Sequence, residues 1–360
     1  MESITPPDES NITLKEIYGQ PTLWRTTPAL VESASLRLDL PSLLRGKRVL
    51  LTGAGTSAYA AAAVAAAWPQ AIAVPTTDLL LDAERQSYGV DAVISLARSG
   101  NSPESVAVVE RIRSLHPKIY QLAITCNAEG ALAQSALDGL ITLDPRTNDR
   151  SLVMTSSFSN LVLAGLCLAK PAPAAASVED ASLRAAAMLP AIDEQCRRLA
   201  SRAQDRIVML SSSPSVSWAQ EAALKALEMT AGRFPVLAET YLGLRHGPMS
   251  FIQPDTLVMC LLSSDPVRRL YEKDLIDELR TKKLGHVVAI GDGEKDGGLA
   301  EEILPAIAPR LSDALRTPYE IVFPQLFGYH LSRRIGLNPD NPSPGGIINR
   351  VVQGVRIHSS

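Results

Sequence analysis

The sequence has little of several features that would indicate other classes of protein. Only four of its 360 residues are cysteine, and none forms a CxxC pair, so no thiol-rich metal site or disulfide framework is expected. No apolar run is long enough to span a bilayer. The first ten residues carry acids and prolines where a secretory signal has a basic segment followed by an apolar one. We therefore expect a cytoplasmic protein with buried, reduced thiols.

An excess of basic charge is also missing. The chain has 35 Lys and Arg against 38 Asp and Glu, with a formal net charge of -3 and a pI near 6.0. Nucleic-acid binding depends on clustered positive charge, so we expect no nucleic-acid partner. With 46% hydrophobic and 20% charged residues, the composition is that of a globular protein, and this length favours about two or three domains.

Short apolar runs alternate with helix-forming segments along most of the chain. This alternation predicts an α/β protein with mainly parallel sheets flanked by helices. The predicted strands lie at 47–52, 71–74, 91–96, 121–125, 206–210, 257–262 and 286–290, and the predicted helices at 58–67, 103–115, 157–168, 218–230 and 267–282.

A proline- and alanine-rich stretch at 170–176 lacks apolar periodicity and indicates a domain boundary. Strand and helix recur in the same order on both sides of it. The halves could be repeats of one unit, but their sequences differ too much to establish a duplication. We expect an N-terminal arm at 1–36, a first domain at 37–175, a second domain at 176–345 and a C-terminal tail at 346–360.

The first candidate site is the turn Gly53-Ala-Gly55-Thr56-Ser57, which follows a predicted strand and opens a helix. Backbone N–H groups at a helix N-terminus favour an anion, and Thr56 and Ser57 add hydroxyl donors. Two other interpretations are open: a simple tight turn, or a dinucleotide site. The glycines with Ala58 fit GxGxxA, and Asp78 follows about 20 residues later, as in dinucleotide-binding proteins.

A second hydroxyl-rich turn, 97–104, follows the next long strand and also opens a helix. A dinucleotide needs no second turn of this kind. Two such turns at strand carboxyl ends can face one crevice and suit one compact phosphate, with Arg98 as a further donor. Alternatively, Arg98 forms an ion pair, and Ser99 and Ser102 cap the helix.

Candidate acid–base groups lie in the second half. Glu221, Lys225 and Glu228 are spaced by four and three residues, which places them on one helix face. His246 follows in a loop rich in glycine and proline, a usual position for functional residues. Each feature has a simpler interpretation, either a solvated charge stripe or a histidine that satisfies a turn.

These motifs together resemble the sugar isomerase (SIS) domain, in which a GxGTS turn and an xxSGxS turn bind a phosphosugar. The helix 221–228 and the loop 245–248 resemble the isomerase half of glucosamine-6-phosphate synthase. By that resemblance Glu228 is the proton-transfer carboxylate, His246 the ring-opening group and Lys225 a supporting cation. The histidine loop completes the neighbouring subunit's site in that family, so the resemblance also implies a homodimer.

A closer resemblance, to the tagatose-6-phosphate isomerase or galactosamine-6-phosphate deaminase branch, rests on the segments 15–24, 97–105, 149–157, 243–248 and 338–342. It implies a deaminase that converts galactosamine 6-phosphate to tagatose 6-phosphate and ammonia. We expect no cofactor, and no metal, because the candidate groups supply acid, base and anion recognition and the five histidines show no ligand spacing. The substrate-binding residues implied are Gly55, Thr56, Ser57, Arg98, Ser99, Asn101, Ser102 and Ser156.

Alternatives remain within and outside this branch. Within it are a glucosamine-6-phosphate deaminase and a plain ketose/aldose phosphate isomerase. Outside it are a noncatalytic sugar-phosphate regulator and a nucleotide-dependent oxidoreductase. The tail departs from the synthase pattern, because Gln353 stands where the synthase has a Schiff-base lysine, and no glutaminase domain precedes residue 47. A glutamine-dependent synthase is therefore not expected.

Overall fold

The chain divides into two compact units, and we name each by its sheet. The structure is a computed structural model that describes residues 6, 8, 10–169, 172–202, 205–352 and 354–358. The first-sheet unit comprises residues 19–179 and 346–360, and the second-sheet unit comprises residues 1–18 and 180–345. Lys170 and Pro171, in the stretch expected to mark a domain boundary, lie outside the described residues.

The first-sheet unit contains a parallel sheet with the strand order β2-β1-β3-β4-β5. Every residue of β1 and β3 is buried, which accounts for their continuous apolar character, because parallel strands are covered on both faces. The strands are β1 (Val49–Thr52), β2 (Ala71–Ala73), β3 (Ala92–Ala97), β4 (Tyr120–Thr125) and β5 (Gly139–Thr142).

Helices follow most of these strands and cover the sheet. The alanine-rich α3 packs closely on α7 because Gly165 has no side chain, and a Cβ there would lie 2.5 Å from a Val64 methyl group. The helices are α1 (Ile12–Arg37), α2 (Leu40–Leu43), α3 (Thr56–Ala67), α4 (Thr76–Leu81), α5 (Ala83–Gln86), α6 (Pro103–Leu115) and α7 (Ser156–Leu168).

The second-sheet unit contains a parallel sheet with the order β7-β6-β8-β9-β10. Its strands are β6 (Ile207–Ser211), β7 (Val236–Thr240), β8 (Leu257–Leu261), β9 (His286–Gly291) and β10 (Glu302–Pro305). The helices are α8 (Ala175–Arg202), α9 (Val216–Met229), α10 (Tyr241–Leu244), α11 (Pro266–Thr281), α12 (Asp313–Glu320) and α13 (Val322–Arg334).

The two sheets share one topology. In each, the first strand of the unit lies between the second and the third, so that the chain changes direction across the sheet beside that strand. Open α/β sheets bind ligands at this switch point, outside the strand carboxyl ends. The order also differs from that of dinucleotide-binding sheets, where the first strand lies between the second and the fourth.

The predicted α/β class with two parallel sheets is confirmed. The observed α6 has the predicted bounds, and the other predicted helices and strands match within two residues at each end. Residues 12–36 of the expected arm belong to α1, whose residues 12–18 group with the second-sheet unit and the rest with the first. None of the described helices is both long and apolar enough to cross a membrane.

Candidate active site

The first turn follows β1 and leads into α3, and its two glycines serve different purposes. A Cβ on Gly53 would lie 2.4 Å from the Ser57 carbonyl oxygen, so the start of α3 can fold back on the strand only without that side chain. Gly55 has φ 56 and ψ -128, a backbone conformation that glycine tolerates best. Apart from its chain neighbours, no atom of the described residues lies within 4 Å of the position of a Gly55 Cβ, so the turn has open space on that side.

The second turn follows β3 and leads into α6. Ser102 is the N-cap residue of α6, but its hydroxyl makes no cap hydrogen bond within the described chain, so the predicted alternative of side-chain capping does not describe it. Asn101 accepts a hydrogen bond from the Ala131 amide through Oδ1 at 2.9 Å, and Ser99 Oγ accepts one from the Asn101 amide at 3.3 Å. The turn is thus braced internally while the Ser102 hydroxyl remains available.

Both turns lie at the switch point of the first sheet. Strands β1 and β3 are hydrogen-bonded neighbours and run parallel, with Thr52 opposite Ser95. Their carboxyl ends therefore lie at the same edge, and the N-termini of α3 and α6 start there. Helix N-termini carry partial positive charge and unsatisfied N–H groups. Together they can bind one anion that is surrounded by hydroxyl and amide donors.

Arg98 begins the second turn and is buried. Its Nη1 donates to the Leu152 carbonyl at 2.9 Å, and its Nη2 donates to the Arg350 carbonyl at 2.6 Å. These bonds connect the turn to the loop 148–155 and to the C-terminal tail. The guanidinium thus holds three segments of the unit together, a role that the sequence did not indicate.

Asp149 was not among the candidate residues, yet it organises the start of α7. Its buried carboxylate accepts hydrogen bonds from the backbone amides of Thr155, Ser156 and Ser157 at 2.8 to 3.0 Å, and from the Ser157 hydroxyl. Ser156 itself is fully buried, and its Oγ accepts a hydrogen bond from Asn160 Nδ2 at 3.3 Å. The N-terminus of α7 is therefore occupied by a carboxylate of the chain itself.

The second-sheet unit supplies the candidate acid–base groups on α9. The Lys225 ammonium is fully buried and lies 2.6 Å from Glu228 Oε2 and 3.3 Å from Glu221 Oε1. Burial alone would lower the Lys225 pKa, but the attraction of the two carboxylates is larger, and the pKa is raised. Glu221 is fully buried, whereas the Glu228 side chain is 31% exposed. The alternative interpretation of these residues as a solvent-exposed charged face is therefore wrong. Lys225 and Glu221 form a buried ion pair, and Glu228, which also contacts Lys225, keeps its carboxylate accessible to solvent.

His246 lies in the loop after α10 and is exposed. Its imidazole makes no hydrogen bond or ion pair with any residue that the structure describes. The next residue, Gly247, has φ 120, a conformation that favours glycine, and Pro248 starts a short 3-10 helix. The His246 side chain therefore lies at the surface of the described chain, and the predicted alternative of a histidine that satisfies a turn does not describe it.

The predicted site residues fall into two groups. Gly55, Thr56, Ser57 and the turn 98–102 lie at the carboxyl ends of β1 and β3, whereas Glu228 and Lys225 lie on α9 of the other unit. Gln353 lies outside the described residues. The four cysteines are free, and burial raises the pKa of the Cys126 thiol to about 12.

The chain is similar to known proteins along nearly its whole length. Residues 42–170 match the model of the SIS domain. The AgaS protein of Streptomyces coelicolor is 38% identical over 98% of this chain and 97% of its own length. The D-galactosamine-6-phosphate deaminase AgaS of a Shewanella species is 36% identical over 96% of this chain and 91% of its own length. The crystal structure of tagatose-6-phosphate ketose/aldose isomerase from Escherichia coli superposes with a TM-score of 0.88 at 31% identity, covering 99% of this chain and 100% of that one.

Proposed function

Because this chain belongs to the AgaS family of SIS-domain proteins, we propose that it is an enzyme that converts galactosamine 6-phosphate to tagatose 6-phosphate and ammonia. The observation that carries the proposal is the accessible Glu228 carboxylate, held 2.6 Å from a buried ammonium. This arrangement fixes an acid–base group in place. The switch point of the first sheet offers the anion site that the sugar phosphate requires.

The phosphate binds at the turns after β1 and β3. Amides at the N-termini of α3 and α6 and the hydroxyls of Thr56, Ser57 and Ser102 donate to it. The phosphate group itself does not react, so the energy of binding it serves to orient the sugar. Ser99 and Asn101 shape the second turn through the hydrogen bonds described above. The buried Ser156 starts α7, and Arg98 anchors the second turn through its hydrogen bonds to backbone carbonyls.

Proton transfer then accounts for the reaction. His246 opens the pyranose ring, and Glu228 takes the proton from carbon 2 to give an enolamine. The same carboxyl group returns the proton to carbon 1, which leaves an imine at carbon 2. Water hydrolyses the imine and releases ammonia. With a hydroxyl at carbon 2, the same steps end at isomerisation, with an enediol in place of the enolamine.

A substrate screen tests the proposal. Galactosamine 6-phosphate, glucosamine 6-phosphate and the corresponding hexose phosphates are incubated with the enzyme, and ammonia and ketose phosphate are measured. Ammonia from the galacto sugar is the expected result. Ammonia only from the gluco sugar, or isomerisation without ammonia, would favour an alternative within the branch. Phosphosugar binding without turnover of any of them would indicate a regulator instead.

Glu228→Gln tests the proton-transfer role. A positioned acid–base group contributes about 10² to 10⁴-fold, so turnover should fall by that factor while the phosphosugar still binds. Glu110→Gln, at an exposed position on α6, is the matched control. Turnover of Glu228→Gln near that of the control would assign proton transfer to another group.

We further propose a homodimer in which His246 serves the neighbouring subunit's site. The exposed His246 supports this, as do two exposed leucines, Leu227 beside Glu228 and Leu242 before the histidine loop, which are 45% and 44% exposed. Mixing and refolding the inactive variants Glu228→Gln and His246→Ala together should restore part of the activity, since one mixed site would contain both native groups. No recovery in a confirmed mixed dimer would place both groups in the same subunit's site.

The shared strand order supports the interpretation of the two units as repeats of one SIS-type unit, and the hydrolysis of the imine makes the enzyme a hydrolase as well as an isomerase. We place it in the cytoplasm, because phosphorylated sugars carry charge that does not cross a membrane unaided.

A further inference from the structure

The C-terminal tail groups with the first-sheet unit, although it follows the second-sheet unit in sequence. Apolar burial does not explain this, because Ile347, Ile348 and Val352 are 84%, 62% and 55% exposed. The Arg350 side chain instead makes two hydrogen bonds with the loop that precedes α7. Its Nε donates to the Asp149 carbonyl at 2.7 Å, and its Nη2 donates to Asn148 Oδ1 at 2.6 Å. The Arg350 side chain is therefore one polar attachment of this part of the tail.

The main chain of the same residue supports the second turn. The Arg350 carbonyl accepts a hydrogen bond from Arg98 Nη2, while Arg98 Nη1 donates to the Leu152 carbonyl. Both arginine side chains thus donate to the same loop: Arg98 to the Leu152 carbonyl, and Arg350 to the Asp149 carbonyl and the Asn148 side chain. We call the pair, with the Asn148 side chain, the arginine clasp. Because Arg98 directly precedes Ser99, the clasp reaches the turn that leads into α6.

We propose that Arg350 is a positioning residue for phosphosugar binding: it holds Arg98, and through it the turn 98–102, in the conformation that binds phosphate. This inference rests on the proposed function. Without the Arg350 side chain, the tail loses its two side-chain bonds to the loop, and the carbonyl that accepts from Arg98 is no longer held. The buried Arg98 guanidinium then loses a fixed acceptor, and the turn that it anchors becomes free to shift.

Arg350→Ala is the primary test. The Michaelis constant for galactosamine 6-phosphate should rise by about tenfold, which corresponds to one charge-assisted hydrogen bond. The turnover number should stay within about threefold, since no group that touches the reacting carbons is changed. The inhibition constant for inorganic phosphate should rise by the same factor. Arg356→Ala, in the exposed end of the tail, is the matched control and should leave all three values unchanged.

Asn148→Ala removes the acceptor on the other side of the clasp. It should raise the Michaelis constant in the same direction, and the double variant should be no worse than Arg350→Ala alone, because the two changes break one interaction. Added guanidinium ion should partly restore affinity to Arg350→Ala but not to the double variant. Additive effects of the two changes, or a Michaelis constant of Arg350→Ala equal to that of the control, would overturn the proposal.

Hydrogen exchange of residues 346–352 separates this proposal from the proposed function. Arg350→Ala should exchange faster there than the wild type, whatever ligand the protein binds. Faster exchange in a protein whose wild type binds no phosphosugar would refute the proposed function but not the clasp. Unchanged exchange would refute the clasp. If Arg350→Ala does not fold, Arg350→Lys carries the test: it keeps the charge but lacks the two-pronged geometry, and an unchanged Michaelis constant would overturn the proposal.

Discussion

Replacing Lys225 by methionine should destabilise the second-sheet unit strongly. The ammonium is fully buried and lies 3.3 Å from the equally buried Glu221 carboxylate. Breaking a buried ion pair by removing one partner costs about 3–5 kcal/mol, because the remaining charge stays in a poorly solvated position. Glu228 adds less, since its partly exposed carboxylate can be solvated by water. For a domain of this size, about 2–4 °C per kcal/mol gives a melting temperature lower by roughly 6–20 °C.

Thermal and urea unfolding, followed by circular dichroism, measure the effect. Lys118→Met, at an exposed position, is the control and should change the free energy of unfolding by at most about 0.5 kcal/mol. The double variant with Glu221→Gln removes both charges and should recover most of the stability, but not the turnover, because Glu228 still lacks its ammonium. A Lys225→Met protein within about 1 kcal/mol of the wild type, or a double variant as unstable as the single one, would refute this reasoning.

Three further predictions concern the site and its support. Ser102→Ala should raise the Michaelis constant by about tenfold through the loss of one hydrogen bond to a charged phosphate, whereas Ser114→Ala, on the exposed end of α6, should not; steady-state kinetics decides. Asp149→Asn should lower the free energy of unfolding by about 1–3 kcal/mol, because the amides of Thr155, Ser156 and Ser157 at the start of α7 lose a charged acceptor; urea titration against Asp78→Asn measures it. The raised pKa of Lys225 means that its contribution is complete below pH 10.5, its ordinary value, and is lost as pH rises through the higher pKa of the folded protein. The stability difference between wild type and Lys225→Met should thus be smaller at about pH 11.5 than at about pH 9.

The interior strands were predictable, and most edge strands were not. Strands β1, β3, β6 and β8 are buried along their whole length, so each is a run of apolar residues bounded by turns. The strands that were missed, β5, β7 and β10, lie at sheet edges and are partly exposed. Their mixed composition gives no continuous apolar run. Pairing with a neighbour determines them, and pairing is not a local property of sequence.

Helix α1 was missed for a different reason. Pro21 and Pro28 lie inside it, and proline in a helix interior removes a hydrogen bond and is normally read as a helix end. Tertiary packing outweighs that preference here, because Trp24 is fully buried and donates through Nε1 to Ser159 Oγ at 2.9 Å. A partner 135 residues away leaves no local signal.

The same distinction applies to the candidate site. The helical spacing of Glu221, Lys225 and Glu228 predicted their shared face, but not that the lysine is buried while one carboxylate stays accessible. Arg350 could not be found from local sequence at all, since its acceptors lie 201 and 202 residues earlier in the chain. Asp149 lies six to eight residues before the amides that it accepts from, which is beyond the reach of an ordinary helix cap.

Topology alone does not select the unit that binds phosphate, because β6 and β8 also end in serine-rich turns at a switch point. The side chains at these turns favour the first-sheet unit as the proposed phosphate site. Glu272 accepts hydrogen bonds from Ser212 Oγ at 2.6 Å and from the Ser263 amide at 2.8 Å, and Asp313 accepts one from the Ser264 amide at 2.6 Å.

The N-terminal amides of α11, the helix that follows the second of these turns, also have an acceptor already. Asp265 caps α11 by accepting from two backbone amides, whereas Ser102, the N-cap residue of α6, leaves its hydroxyl unused within the described chain. A phosphate that approached the second-sheet turns would meet buried carboxylates that already accept hydrogen bonds from the donors it needs. The negative charges of phosphate and carboxylate would also repel each other strongly at such a short distance. In the turns of the first sheet, by contrast, no carboxylate of the described residues accepts from the Ser57 or Ser102 hydroxyl, which supports the proposal that the phosphosugar binds there.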